Sequence, residues 1–193
     1  MQAKLLSLAE CKRVYEDYLV KDFPADEVKP FSSIRRMTQK GLYQSWGFYE
    51  ENDLAAYAFL CDDCRQRFSL LDYYAVNASL RGRGYGQRAL AVLRERYRAY
   101  KGVIIESENP DFAKNEEDRR TRVRRLAFYE KCGLTDSGVR GSAFGVEYRI
   151  LYAPCSGPAT NKEVKAALAE IYRMLVPGEA YKKFIRIRLQ ERG

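Results

Sequence analysis

The chain has 193 residues, enough for one domain or a domain with an added segment, and 46% hydrophobic with 31% charged residues argues for a packed core over global disorder. A net charge of +8 favours polyanionic partners, of which nucleic acid, acidic membrane and phosphorylated cofactors are the common kinds. The sequence has no histidine, which excludes Ser-His-Asp and Cys-His nucleophile systems and histidine metal sites, and leaves carboxylate, tyrosine, lysine, cysteine or water for proton transfer.

Ser7-Leu8-Ala9-Glu10 reads as a capping box, and Cys11, Val14, Tyr15 and Tyr18 follow at helical spacing until Pro24. Residues 25–40 are mixed, with Pro30 as a break and room for a second short helix. The stretch Gln44–Glu50, which carries aromatics, a turn at Glu51-Asn52-Asp53 and the apolar run Leu54–Cys61 predict a hairpin. Phe68–Val76 is long and only partly alternating, as suits a central strand. A glycine-rich loop then leads into a helix striped by Leu90, Leu93, Tyr97 and Tyr100 and stopped by Gly102.

Val103-Ile104-Ile105 predicts a short buried strand, ended by Asn109-Pro110, and 111–118 a polar loop. Arg119–Lys131 predicts a helix with Gly133 as its cap, followed by strands near 134–139 and 146–152. Pro154-Cys155-Ser156-Gly157-Pro158 is the best candidate boundary, dividing a domain over 1–153 from an extension over 154–193. In that extension Thr160-Asn161-Lys162-Glu163 is a second capping box. Val164, Leu168, Ile171 and Leu175 give its helix an apolar stripe, which fits packing on the domain or a homodimer interface. Pro177-Gly178 breaks the helix ahead of a basic tail.

The five cysteines are an odd number, Met1-Gln2-Ala3-Lys4 does not open a secretory signal, and no apolar run nears the roughly 20 residues that span a bilayer. A reducing cytoplasm and no membrane association are the expectation. Cys61-Asp62-Asp63-Cys64 lacks the second pair or histidine that a zinc site needs, so it reads as a strand-end turn with two thiols and no metal. The alternation of strands and helices after residue 68 argues for an α/β or α+β fold.

The loop Arg81-Gly82-Arg83-Gly84-Tyr85-Gly86 carries the chemistry. Glycines let a backbone turn tightly and approach a ligand, and the first amides of the following helix lack internal partners, so the loop suits a pyrophosphate. Arg81, Arg83 and Arg88 reinforce the sign. The dinucleotide fingerprint G-x-G-x-x-G and the P-loop are both absent, leaving the form [QR]-x-x-G-x-[GA] at Arg81, Gly84 and Gly86.

That segment, from Val76 to Gly86, resembles the signature of the GNAT superfamily of acetyl-CoA-dependent N-acetyltransferases. Phe128-Tyr129-Glu130-Lys131-Cys132-Gly133-Leu134 resembles the family's F-Y-x-K-x-G-F block, with Leu134 in place of the last Phe. Arg122 stands where many relatives have a cofactor-contacting Asn. The resemblance covers roughly residues 1–152. It implies a mixed, mostly antiparallel central sheet flanked by helices, with a splayed central strand pair and, here, a C-terminal helical extension.

The resemblance also implies an acyltransferase that moves an acetyl group from acetyl-CoA to a primary amine by direct attack on the thioester. Tyr74, Ala75 and Val76 would lie along the pantetheine arm, and Arg81, Gly82, Arg83, Gly84, Tyr85, Gly86 and Gln87 would hold the pyrophosphate. Tyr129 matches the tyrosine that protonates the departing thiolate. Glu106 is the favoured base for the amine, with Glu108, Asp72 or a held water as alternatives. Of the basic residues near the cofactor groove, Arg122, Arg124 and Arg125 are candidates for the CoA 3′-phosphate end. The acceptor, a small molecule or a peptide amine, is left open. Two other classes stay in view: a CoA-binding sensor without turnover, and a basic nucleic-acid-binding module, against which stands the lack of any recognised nucleic-acid motif.

Overall fold

A computed structural model describes residues 1–63, 65, 67–176 and 178–190. Cys64 of the C-x-x-C and Pro177 of the helix break lie outside the described residues. Among the described residues, eight strands, mostly antiparallel, and the helices that flank them make a mixed α/β fold. The chain forms two compact units, residues 1–62 with 71–93, and residues 63–70 with 94–193.

The first unit opens with β1 (Gln2–Leu5) and α1 (Leu8–Val14), continued by a π-helical stretch, Tyr15–Leu19, and a single turn, α2 (Val20–Asp22). The capping box at Ser7 is complete: Glu10 N–H donates to Ser7 Oγ, and the Glu10 carboxylate accepts from Ser7 N–H. Strand β1 had no sequence signal, because it is short and mostly exposed; it pairs antiparallel with β2 (Tyr43–Glu50) from Gln2 opposite Tyr49 to Leu5 opposite Trp46. The short helix expected within 25–40 is α3 (Phe31–Gln39), which Pro30 precedes.

The hairpin of β2 and β3 (Asp53–Asp62) turns through Glu51, whose φ is 54°. From Leu54 to Cys61 every residue of β3 is buried, which explains a run with no alternation. Strand β4 (Phe68–Val76) ends this layer, in the order β1-β2-β3-β4, and α4 (Tyr85–Arg96) follows it. Helix α4 stops one turn before the expected end; Tyr97 still reaches the core from the turn beyond it.

In the second unit the strand order is β5-β7-β6-β8. Strand β5 (Gly102–Glu108) runs antiparallel to β7 (Val146–Pro154), which pairs in turn with β6 (Thr135–Ala143). Helix α5 (Glu116–Lys131) begins three residues earlier than the sequence suggested, capped by Asn115, whose side chain accepts from Asp118 N–H. The C-terminal segment gives α6 (Asn161–Leu175), α7 (Glu179–Phe184) and a last strand, β8 (Ile185–Leu189). Val164, Leu168 and Ile171 of the α6 stripe are buried, and α6 touches β6 and β8. The basic tail is therefore only partly a tail. Ile185-Arg186-Ile187-Arg188-Leu189 alternates with period two, and it pairs antiparallel with β6, Gly141 opposite Ile187.

Buried tyrosines contribute to the alkaline limit of stability. Burial, aided by Asp72, pushes the Tyr73 hydroxyl up to about 12, and burial does the same at Tyr129 and Tyr152. Tyr43 and Tyr57 are raised further still, again first by burial and then by a hydrogen-bonded aspartate. A folded-state value above the unfolded one, near 10, means that the unfolded chain loses these protons first. Stability from these groups is thus full below about pH 10 and is lost as pH rises towards about 12. Urea midpoints measured from pH 8 to 12 should begin to fall near pH 9, where unfolded thiols ionise ahead of the buried Cys11 and Cys155, and fall more steeply above about pH 10 as the tyrosines follow; a flat profile to pH 12 would contradict the burial of these rings.

Candidate functional site

The first unit carries the glycine loop. Strand β4 ends at Val76, and Asn77 caps a short 3-10 turn, Ala78–Leu80, by accepting from Ser79 N–H at 3.3 Å. Gly82 and Gly84 then take φ of +77° and +79°, values that side-chain-bearing residues rarely adopt. A methyl group at either position would meet nothing within 4 Å, so the backbone turn, not crowding, demands glycine there. Arg88 N–H, bonded to Gly84 O at 3.1 Å, is the first committed amide of the helix. Among the described residues the N–H groups of residues 82–87 make no hydrogen bond, so six donors remain for an anion at the start of a twelve-residue helix. These groups fit a pyrophosphate.

The arginines around the loop divide by role. Arg81 Nε donates to Val76 O at 3.1 Å, and its guanidinium pairs with Asp22 at 2.7 Å. Asp22 also accepts from the Tyr57 hydroxyl at 2.9 Å. The Arg81 side chain therefore braces the loop, and its charge is spent on Asp22. Arg88 pairs with Glu50 at 2.9 Å and lies over the Tyr85 ring. Arg83 is exposed and makes no ion pair among the described residues, which leaves it as the loop's uncommitted cation. Tyr74 reaches across to α4, donating to Gly86 O at 2.5 Å, while Ala75 and Val76 are half-buried beside it and Gln87 is exposed. Asp72, an alternative base, accepts from Lys29 Nζ and the Tyr43 hydroxyl, both at 2.6 Å.

The second unit carries the other candidates. Tyr129 is 8% exposed, and its position follows from how α5 ends. Gly133, at φ +81°, donates its N–H to Glu130 O, and Leu134 N–H donates to Tyr129 O at 3.1 Å. This is a Schellman motif, and it gives the Phe-Tyr-x-Lys-x-Gly block a local reason: the glycine closes the helix one turn after the tyrosine. Leu134 is buried at 3%, so a Leu in place of Phe is a packing change. Burial, partly offset by Arg125, pushes the Tyr129 hydroxyl up to about 12. No hydrogen bond engages that hydroxyl among the described residues.

Glu106 is half-buried on β5 opposite Ile150, and both its carboxylate oxygens lie 2.8 Å from the Tyr172 hydroxyl of α6. Glu108 is held by Arg122 at 3.0 Å and Arg125 at 2.9 Å. Arg122, expected near a cofactor phosphate, is buried instead. Only 6% of its side chain is exposed, and it binds Asp118, Glu108 and Asn109 O. Arg124 is exposed, and Arg125 is half-exposed and spent on Glu108. The residue that sequence reasoning missed is Tyr172: it sits in the α6 stripe, where an apolar period hides a polar hydroxyl.

Among the described residues no helix is long and apolar enough to cross a membrane, and no cluster of potential metal ligands appears. No curated protein matches the sequence. Solved structures do resemble the fold. A protein of Bacteroides thetaiotaomicron assigned to the GNAT acetyltransferases aligns with a TM-score of 0.69 at 20% identity, over 91% of this chain and 98% of its own. The ribosomal-protein-S18-alanine N-acetyltransferase of Escherichia coli aligns at 0.59 and 16% identity, over 82% and 96%. A Bacillus subtilis acetyltransferase in complex with CoA aligns at 0.55 and 16%, over 79% and 97%. The acetyltransferase (GNAT) family model matches residues 9–134, a span that takes in the glycine loop and runs through the Phe128-Tyr129 block to Leu134; the chain belongs to that family and is an acyltransferase.

Proposed function

We propose that this acyltransferase moves an acetyl group from acetyl-CoA to a primary amine by direct attack of the amine on the thioester. The observation that carries the reading is the run of unbonded amides at residues 82–87, held open by Gly82 and Gly84 in left-handed conformations. In this reading those amides, with Arg83, take the pyrophosphate, and Arg81 acts by bracing the loop through Val76 O and Asp22. The backbone of Tyr74, Ala75 and Val76 lies along the pantetheine arm. Acetyl-CoA supplies the activated acyl group, and the chain's own residues manage protons.

Glu106 takes the proton of the incoming ammonium, directly or through water, so that the nitrogen lone pair is available. Tyr129, protonated at any physiological pH, gives its proton to the sulfur as the carbon–sulfur bond breaks. Glu108 and Asp72 suit the base role less well, because two cations hold the first and a lysine and a tyrosine hold the second. The acceptor is a small-molecule or peptide amine. A reducing compartment such as the cytoplasm suits the free thiols of Cys11, Cys132 and Cys155.

Titration calorimetry with acetyl-CoA tests the donor half. Saturable binding at tens of micromolar or tighter is expected, weakened by added pyrophosphate-bearing CoA analogues. No heat at those concentrations would remove the reading.

A further inference from the structure

Helix α6 lies beyond residue 134, where the family match ends, and it is joined to β5 at two points. Lys101, just before β5, binds Glu163 in the first turn of α6 at 2.5 Å. Tyr172, nine residues further along α6, reaches Glu106, five residues further along β5. Nine helical residues rise about 13.5 Å and five extended ones about 16.5 Å, so the two elements keep step between the attachments. The capping box at Thr160 and the buried Val164, Leu168 and Ile171 fix the helix in rotation. The hydroxyl of Tyr172, a residue only 8% exposed, lies 2.8 Å from each oxygen of the Glu106 carboxylate and shares one proton between them.

Resting on the assignment of Glu106 as the base, we infer that Tyr172 is a positioning residue that aims the Glu106 carboxylate, making the C-terminal extension a working part of the acetyltransferase. A glutamate on a strand has three side-chain torsions to settle, and a donor shared by both oxygens fixes the last of them. The other charged group nearby on β5, Glu108, has its own partners in Arg122 and Arg125 of α5. Tyr172 of α6 supplies a donor to Glu106 from outside β5 and α5. Tyr172 itself gives no proton to the substrate; the amine proton goes to Glu106, and Tyr172 stays neutral.

The test compares Tyr172→Phe, Glu106→Gln and the double variant, each checked for an unchanged thermal melt, by thiol release from acetyl-CoA with a panel of amines. Tyr172→Phe keeps the packed ring and should lower kcat about tenfold, with KM for acetyl-CoA unchanged. In the Glu106→Gln background the same change should matter less than twofold, because one residue acts through the other. Independently of turnover, protein labelled with carboxyl-13C glutamate should show the Glu106 resonance moved by Tyr172→Phe and unmoved by Tyr181→Phe, a half-buried tyrosine on α7. An unmoved resonance, or a tenfold loss persisting in the Glu106→Gln background, would overturn the inference. Absence of thiol release by the unaltered protein with every amine would instead remove the acetyltransferase reading, while the resonance still decides whether Tyr172 holds Glu106.

Discussion

Replacing Tyr129 with Phe is expected to lower kcat by roughly a hundredfold or more, the usual contribution of a positioned general acid, with acetyl-CoA affinity retained. The ring is buried at the end of α5 and its carbonyl completes the Schellman motif, so Phe keeps both the packing and the cap. Only the hydroxyl is lost, and among the described residues no protein group depends on it. Stability should therefore change little. Because burial holds this hydroxyl up to about 12, it stays protonated through the accessible assay range, and the alkaline limb of kcat should not report it. Steady-state kinetics with two unrelated amines checks the prediction. A kcat within twofold of the unaltered protein would show that Tyr129 is packing alone.

The largest stability effect should come from Arg122→Met. The guanidinium is nearly buried between Glu108 and Asp118 and donates to Asn109 O, so its removal strands two carboxylates and a carbonyl at once. Breaking a buried ion pair from one side costs about 3 to 5 kcal/mol. Glu108 keeps Arg125, and both carboxylates keep some contact with water, which favours the lower figure. A loss of about 3 kcal/mol corresponds to a fall in melting temperature of roughly 6 to 12 °C for a chain of this length. Calorimetric melts would check it. A fall below 2 °C would mean that Arg122 is not the hub joining α5 to the end of β5.

At Arg122, where the family resemblance implies a cofactor contact, the chain places a long cation that turns inward. Residue type alone suggested a phosphate ligand, because an arginine among arginines reads as surface charge. The burial comes from acidic neighbours at 108 and 118, one of them on another element, and that spacing has no local signature. Arg81 teaches the same lesson. Its place in the motif is plain in the sequence, but its partner Asp22 is far away along the chain.

What could be read locally was read well. Both capping boxes form, Phe68–Val76 is strand β4 to the residue, and the glycines at 82, 84 and 133 take the positive φ that helix starts and ends of this kind need. Strand β1 escaped because four mostly exposed residues carry no period. Strand β8 has a complete alternation, but its arginines, following Lys182 and Lys183, make the segment look like a basic tail. Tyr172 was hidden by its own helix: period places it among apolar residues, and only the fold brings its hydroxyl to Glu106.

Transfer of acetyl from acetyl-CoA to an amine is the proposed reaction. Incubating the protein with acetyl-CoA and a panel of small amines, polyamines and peptides with free N-termini, while following free thiol and product mass, tests it most directly. Thiol release should need both protein and amine, be matched by a product heavier than its amine by one acetyl group, and be slowed in Tyr129→Phe. Thiol release that is independent of any amine, or none at all despite saturable acetyl-CoA binding, would contradict it.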